Sequence, residues 1–317
     1  MALRNAQSNG HPVNGACMYV SLEPCAHHGR TGPCVEAIIN AGIRKVVAPL
    51  TDPNPQVAGK GFARLRAAGI EVEIGPGAEQ SRELNIGFFS RMTRRTPWVR
   101  MKIAASLDGK TALTNGASQW ITSDLARIDG HRWRARACVI LTGVGTVMAD
   151  NPRLDVRLVD SPRQPDVAVV DSRLATPPDS QIFAANRTCF IFSSLKDVQR
   201  EAALAAVGAK IIQCQSRQSE ISSRVDLKAM LNELARMEIN EVHVEAGHTL
   251  NGALLHAGLV DEVVIYLAPK LIGTGVGMAD WEPLTNLSQA VELDIQSFEP
   301  VGKDIRVLAR VANRPSL

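Results

Sequence analysis

Aromatic residues are scarce: Phe, Trp and Tyr make up 4% of the 317 residues. A protein that grips single-stranded nucleic acid needs stacking platforms along a basic groove. This composition, with a net charge of only +3, argues against a nucleic-acid-editing deaminase and against nucleic acid as a partner. Long hydrophobic runs are missing too. No stretch approaches the ~18 apolar residues that a membrane helix needs, and the opening MALRNAQSNG lacks the apolar core of a signal peptide. No membrane partner is expected, and the cytoplasm is the expected compartment. Cysteine is sparse, six in all, and in a reducing compartment paired cysteines suggest metal or chemistry more than a disulfide. There is no internal repeat and no low-complexity tract. The mild positive charge is compatible with an anionic small substrate but barely favours one. What remains, 45% hydrophobic and 21% charged residues, is the balance of a globular protein, and the length is enough for two domains.

The first ninety residues alternate strand and helix signals. Ala16–Leu22 (ACMYVSL) reads as a strand, Pro33–Ala41 as a helix with Val35, Ile38 and Ile39 on one stripe, and Gly42 as its stop. Lys45–Leu50 is a buried-strand candidate, followed by the loop TDPNPQVAGKG, a helix over Phe62–Ala68 and a strand over Ile70–Ile74. This rhythm predicts a mostly parallel sheet covered by helices. Glu79–Arg94 reads as one more helix ending in a basic cluster. Pro97 follows, and the domain boundary is placed there, giving domains 1–95 and 96–317. The second part repeats the α/β pattern. Its strands are Trp98–Ser106, Val139–Thr142, Asp166–Asp171, Cys189–Phe192, Glu241–Glu245 and Glu262–Leu267, with a helix over Leu227–Met237 and an antiparallel pair within Val291–Ala312.

Leu22–Cys34, LEPCAHHGRTGPC, carries the chemistry of the first domain. Cys25 precedes a helix and Cys34 opens it. Free N–H groups and the positive dipole end at a helix start both favour thiolate, so both cysteines are candidate zinc ligands. Two ordinary thiols in a turn is the plainer alternative. His27 and His28 lie in the same short loop, where such residues more often meet substrate or solvent.

A strand ending in LEPC with a second cysteine further on is the later half of the zinc nucleobase-deaminase pattern. The long spacing, the HHGRTGPC inside it and the following DPNPQVAGKG (Asp52–Gly61) resemble the bifunctional riboflavin-biosynthesis deaminase–reductase family. That family carries an H-A-E motif ahead of a helix resembling ALRNA. Its His completes the zinc site and its Glu moves the protons. Nothing of this kind precedes Cys25: the sole upstream histidine is His11, and no glutamate precedes Glu23. Ala2–Ala6 would be that helix, and the chain starts just past the motif. Either the chain is truncated or the lineage has lost its deaminase. In both cases Cys25 and Cys34 alone leave zinc under-ligated, and His27 or His28 could not fill the glutamate's role. The 317-residue chain is therefore expected not to deaminate.

In the second domain, Asp108-Gly109 marks a turn within MKIAASLDGKTAL, a helix cap is expected near Ser123, and CVILTGVGTVMADNPRLDVR places Gly143 and Gly145 in a turn after a strand. HVEAGHTLNGALL is a strand, a glycine turn and a helix whose N-terminus could take a pyrophosphate. Both glycine features could equally be plain connections, since the dinucleotide fingerprint is incomplete. Together SLDGK, SQWIT, LTGVGTVMADNPRLDVR, VVDS, EAG-x-T-L-N-GALL and APKLIG resemble the reductase half of the same family, so that the likeness covers nearly the whole chain. The fold implied is α/β: an incomplete cytidine-deaminase-like domain followed by a dihydrofolate-reductase-like domain. The resemblance implies NADPH contacts at Ala104, Trp120, Thr146, Asp150, Ser172, Gly247, His248, Thr249, Leu250, Asn251, Gly252 and Ala253. It implies substrate contacts at Ser118, Arg134, Leu154, Arg157 and Glu245, with Arg134 and Arg157 as forks for the substrate phosphate. Arg173 is a candidate partner for the cofactor's 2′-phosphate. The reaction implied is NADPH-dependent reduction of the ribosyl group of a phosphorylated aminopyrimidine to a ribityl chain. Lys102, Glu245 and water are candidate proton donors. The family also suggests a homodimer. Two alternatives remain: a bifunctional enzyme when full-length, and an N-terminal domain that serves only dimerisation.

Overall fold

The computed structural model describes residues 2–28, 32–215, 224–315 and 317. Gly29, Arg30 and Thr31 of the cysteine loop lie outside the described residues. The chain divides into two compact units, Met1–Arg94 and Arg95–Ser316.

The first unit contains α1 (Ala2–Ser8), β1 (Cys17–Tyr19), α2 (Cys34–Asn40), β2 (Lys45–Ala48), α3 (Lys60–Ala67), β3 (Glu71–Ile74), α4 (Ala78–Leu84) and α5 (Ile86–Arg94). The three strands form a parallel sheet in the order β1-β2-β3. Val46 of the central strand packs with Val35 and Ile38 of α2, Leu65 of α3, Ile43 and Ile70. Gly42 turns the chain out of α2 at φ +69°, where a residue with a Cβ would be strained. The single helix expected over Glu79–Arg94 is two helices, broken at Asn85 (φ −108°). Asn85 sends its Nδ2 to the Ser81 carbonyl, so its side chain caps the first helix where the sequence pattern shows only continuous polarity.

The second unit contains β4 (Trp98–Ser106), β5 (Lys110–Leu113), α6 (Asp124–Arg136), β6 (Val139–Gly143), α7 (Val144–Asp150), β7 (Asp166–Val170), β8 (Cys189–Ser193), α8 (Val198–Ala206), β9 (Ala209–Gln213), α9 (Leu227–Arg236), β10 (Glu241–Val244), α10 (His248–His256), β11 (Glu262–Ala268), β12 (Gly275–Gly277), β13 (Leu293–Val301) and β14 (Asp304–Val311). Its main sheet runs β13-β14-β11-β4-β10-β6-β7-β8-β9. From β11 to β9 every pair is parallel, while β14 joins β11 and β13 antiparallel. β10, late in sequence, lies between β4 and β6.

Register divides the two faces. Val99, Met101, Ile103, Val139, Leu141, Val242 and Val244 point into one large apolar cluster with α9 and α10. The opposite face is apolar under β6–β8, where Ile140, Val167, Val169 and Ile191 meet Val147 of α7 and Leu204 of α8, and again under β11, where Val264 and Tyr266 meet Ala126 and Trp133 of α6. Under β4 and β10, and at Glu262 of β11, it is ionic. His243 pairs in register with Arg100 on one side and Ile140 on the other, so the change from ionic to apolar falls between β10 and β6. α6 covers the ionic half. Ser123 caps it, accepting from Ala126 N and donating to the buried Asp304 carboxylate at 2.5 Å.

Candidate functional site

In an open parallel sheet, ligands gather at the carboxyl ends of the strands where the strand order switches. Here that place is the end of β10 beside β4 and β6. Arg100 and Lys102 occupy alternate positions of β4, and Glu241, His243 and Glu245 occupy alternate positions along β10 and just past it. Alternation puts them on one face. Arg100 Nη1 meets Glu241 Oε2 at 2.8 Å, its Nε meets Glu262, and its guanidinium lies 4.7 Å from the Trp133 ring. Tyr266 Oη donates to Asp129 Oδ2 at 2.7 Å, as does Arg306 Nη1 at 2.8 Å. Buried charges are tolerated only when paired in this way.

The outer end of this face holds Arg134 and Glu245. Arg134 Nε donates to Glu245 Oε1 at 2.5 Å and Nη2 to Oε2 at 2.8 Å, a bidentate pair. Burial alone would raise the Glu245 pKa, but Arg134 holds the carboxyl well below its usual range, helped by His243 and Lys102. Lys102 is pushed down by burial, against the pull of Glu245, with Arg134 adding to the depression. His243 is wholly buried, and its Nε2 stands 3.4 Å from Glu245 Oε1 without hydrogen-bond geometry. Arg134 Nη1 donates to the Asp155 carbonyl at 3.0 Å. Arg157 donates its backbone N–H to His131 Nδ1 at 3.2 Å. Burial, and then Arg134 and Arg157, depress His131 to about 4, which keeps Nδ1 an acceptor. Leu154 is buried at φ +49°. Arg134, Glu245 and Lys102 thus meet in one place, with the 155–157 backbone tied to Arg134 and His131 beside them, while the Leu154 side chain packs into the apolar cluster under β6–β8.

The cofactor candidates divide. Gly143 ends β6 and α7 begins at once, so the expected glycine turn is a direct strand-to-helix junction. A Cβ on Gly143 would touch Leu250 at 3.4 Å, one on Gly247 would come 3.8 Å from Thr146 Oγ1, and one on Gly145 would meet open space. The starts of α7 and α10 therefore adjoin. Gly247 opens α10 with no side-chain cap, leaving backbone N–H groups for an anion. A cavity of about 270 Å³ beside them is lined by Val144, Val170, Asp171, Ser172, Arg173, Ala175 and Arg224. His248, Thr249 and Ala253 are at least partly accessible on α10. Asn251 and Gly252 face protein: Asn251 Nδ2 donates to the Met278 carbonyl at 3.0 Å, and a Cβ at 252 would lie 1.8 Å from the Asp280 carbonyl oxygen. Ala104 is half-buried on β4, and Asp150 is exposed at the end of α7. Ser118 and Trp120 lie on the connection before α6. Trp120 is 62% exposed under the Arg127 guanidinium at 4.3 Å, and its carbonyl accepts from Lys270 Nζ at 2.9 Å.

Sequence reasoning missed Arg100, Glu241, His243 and Glu262, and it missed Arg153 and Asp155 within NPRLDVR. The signal was present: RMK and EVHVE place a polar residue at every second position of strands that otherwise read as buried.

The cysteine loop is a poorer site. Cys34 N donates to Cys25 Sγ at 3.4 Å, so the two sulfurs share a neighbourhood. Burial, then Cys25, pushes the Cys34 thiol up. Among the described residues no group of three or more His, Cys, Asp and Glu could hold a metal ion. Two thiols fall short of the three protein ligands of a catalytic zinc. Glu23 offers no substitute base: its Oε2 accepts from Asp52 N and Gly59 N at 3.0 and 2.9 Å, its Oε1 from Gly61 N and Phe62 N at 2.9 and 3.2 Å. These residues do not fit a zinc deaminase centre.

Comparison with known proteins gives consistent matches. The family described as RibD C-terminal domain matches residues 97–307, and the cytidine and deoxycytidylate deaminase zinc-binding region matches residues 1–50. The riboflavin biosynthesis protein RibD of Escherichia coli is 41% identical over 317 residues, covering 96% of this chain and 83% of the relative. That of Bacillus amyloliquefaciens is 38% identical, covering 95% and 80%. Among solved structures, Acinetobacter baumannii RibD superposes with a TM-score of 0.86 at 36% identity, covering 98% of this chain and 84% of that one. A Thermotoga maritima deaminase/5-amino-6-(5-phosphoribosylamino)uracil reductase does so at 0.81 and 29%, covering 98% and 83%.

Proposed function

The chain belongs to the RibD family of riboflavin-biosynthesis enzymes, and from that premise we propose that the site around Arg134 and Glu245 reduces the ribosyl group of 5-amino-6-(5-phosphoribosylamino)uracil. Pyrimidine reduction in riboflavin biosynthesis is the activity of this fold, and NADPH is the family's reductant. The observation that carries the assignment to these residues is the bidentate Arg134–Glu245 pair beside Lys102 at the switch point of the sheet.

The residues present fit a phosphorylated dinucleotide. Gly145 leaves open space, the uncapped start of α10 can receive a pyrophosphate, and the adjoining cavity is lined by Ser172, Arg173 and Arg224. Thr146, Gly247, Leu250 and Ser172 would hold the cofactor there, with His248, Thr249, Ala253, Ala104, Asp150 and Trp120 as further contacts. Asn251 and Gly252 act by fixing α10 against residues 278–280. When bound, NADPH supplies the two reducing electrons. The chain's residues do the rest. Arg134 and Arg157 hold the phosphate, Leu154 and Ser118 line the sugar, and ionised Glu245 accepts from ribose hydroxyls. Lys102 Nζ, its affinity for a proton weakened by burial, delivers a proton to the opening sugar.

We further propose that the 317-residue chain does not deaminate, because its cysteine loop supplies two thiols and no free carboxylate. The test incubates the chain with zinc, NADPH and either the diaminopyrimidine ribosyl phosphate or its deaminated form, and identifies products by mass spectrometry. Ribityl product from the deaminated substrate alone is the expected outcome. No product from that substrate would overturn the reductase assignment, and deaminated product from the other tube would overturn the second proposal.

A further inference from the structure

Residues 151–157 form a loop whose backbone is tied at almost every peptide. Arg187, half-buried beside it, donates Nη2 to the Arg153 carbonyl and Nη1 to the Leu154 carbonyl, with further contacts to Ile182 O and Pro165 O at 3.4 Å. Arg134 takes the Asp155 carbonyl. Gln164 takes both backbone groups of Val156, at 2.7 and 2.8 Å. His131 takes Arg157 N. Two non-glycine residues of the loop, Asn151 and Leu154, sit at positive φ, +40° and +49°, a conformation that persists only where surroundings impose it.

Inside this frame lies one carboxylate. The Asp155 side chain is 5% exposed, and each oxygen takes a different guanidinium: Oδ1 takes Arg157 Nη1, and Oδ2 takes Arg153 Nη2 at 2.7 Å. The Arg153 and Arg157 side chains are 54% and 44% exposed. A carboxylate bridging two cations leaves one positive charge and several N–H donors directed outward. Its own burial and the tied backbone fix the pair before any ligand arrives. Preorganised planar donors are what a phosphate monoester dianion selects. A merely decorative surface arginine needs neither a buried partner nor a rigid loop.

We propose that Arg153 is a phosphate-binding residue and Asp155 its positioning residue, the buried carboxylate holding Arg153 and Arg157 side by side as a clamp for the substrate's phosphate monoester. The inference rests on the reductase reading above and extends it to two residues that reading does not include.

The test uses the full chain. Steady-state NADPH oxidation is measured on the deaminated ribosyl phosphate and on its dephosphorylated counterpart, for Arg153→Ala, Arg153→Lys, Asp155→Asn and Arg157→Ala. In parallel, inorganic phosphate is titrated by calorimetry. Arg153→Ala should raise KM for the phosphorylated substrate ~10-fold, the scale of one charge-assisted contact, with a smaller change in kcat. It should leave KM for the dephosphorylated substrate in place and weaken phosphate binding to the same degree. Arg153→Lys should recover part of the loss. Asp155→Asn should act in the same direction through both arginines. Equal effects on both substrates, or unchanged phosphate affinity in Arg153→Ala, would overturn the clamp. A wild-type chain that binds phosphate through Arg153 but turns over neither substrate would sink the reductase reading and leave the clamp standing.

Discussion

Glu245 is the residue on which the site turns. Its charge is fixed by Arg134, its neighbours are a depressed lysine and a neutral buried histidine, and it sits where β10 ends. Glu245→Gln keeps the shape but sets an amide donor against the Arg134 fork. We expect kcat/KM to fall about 100-fold, the cost of a misplaced reactant, and stability to drop by ~3 kcal/mol, as when one partner of a buried pair is removed. Paired steady-state kinetics and denaturant melts measure both. His131 gives a pH test. Its folded pKa of about 4 lies below the unfolded value of 6.5, so the unfolded chain binds more protons between these values. Stability must therefore fall as the pH drops from 6.5 towards 4. His131→Gln, which keeps an acceptor for Arg157 N, should flatten the decline of Tm between pH 7 and 5. An unchanged slope would mean that His131 is protonated in the fold.

Among the elements, the LEPC turn and the start of α3 depend on one carboxylate. Glu23 gathers four N–H groups from residues 52–62, and Gly61 lets the chain pass: a Cβ there would fall 1.9 Å from the Pro24 carbonyl oxygen. Gly61→Ala should destabilise the first unit by more than ~3 kcal/mol, since backbone must move. The reductase rate should stay within about twofold, as Gly61 and the reductase residues belong to separate compact units. Loss of both together would contradict that independence. These elements were unevenly legible. Continuous apolar runs marked the strands around Val139, Asp166 and Glu262 within a residue or two of their ends, and the hairpin of β13 and β14 was visible in Val291–Ala312. β9 and the bounds of α8 went unread because α8 is Ala-rich and β9 only five residues long, and such segments carry little pattern. The break at Asn85 went unread because a side-chain cap inside a polar run leaves no signature in periodicity.

At the scale of the molecule, the family likeness carried the fold, and of the substrate contacts it implied Arg134 and Glu245 lie against each other. The ionic face of the sheet was not anticipated. Buried charge pairs appear in sequence only as polar residues in unpromising positions, and their partners lie 141 and 162 residues apart, as Arg100 shows with Glu241 and Glu262. The candidate zinc thiols belong to one unit and the reductase residues to the other. EDTA should therefore leave NADPH oxidation unchanged, and the purified chain should carry less than one zinc by elemental analysis. Reductase activity lost to the chelator and restored by zinc would refute this.

The placement of β10 has a bearing on how the enzyme comes into being. β4 and β6 are made early, yet neither pairs with the other; the strand that joins them is completed only at Val244. Until then a chain emerging from the ribosome holds β6–β9 with an unpaired edge at β6 and β4 with neither of its neighbours, since β11 follows β10, and both edges are exposed to wrong partners. Insertion of β10 joins β4 to β6 and sets Glu245, just past its end, against Arg134. The Arg134–Glu245 pair proposed for the reductase site therefore forms only after β10 has been made, and β11, β14 and β13 extend the sheet afterwards.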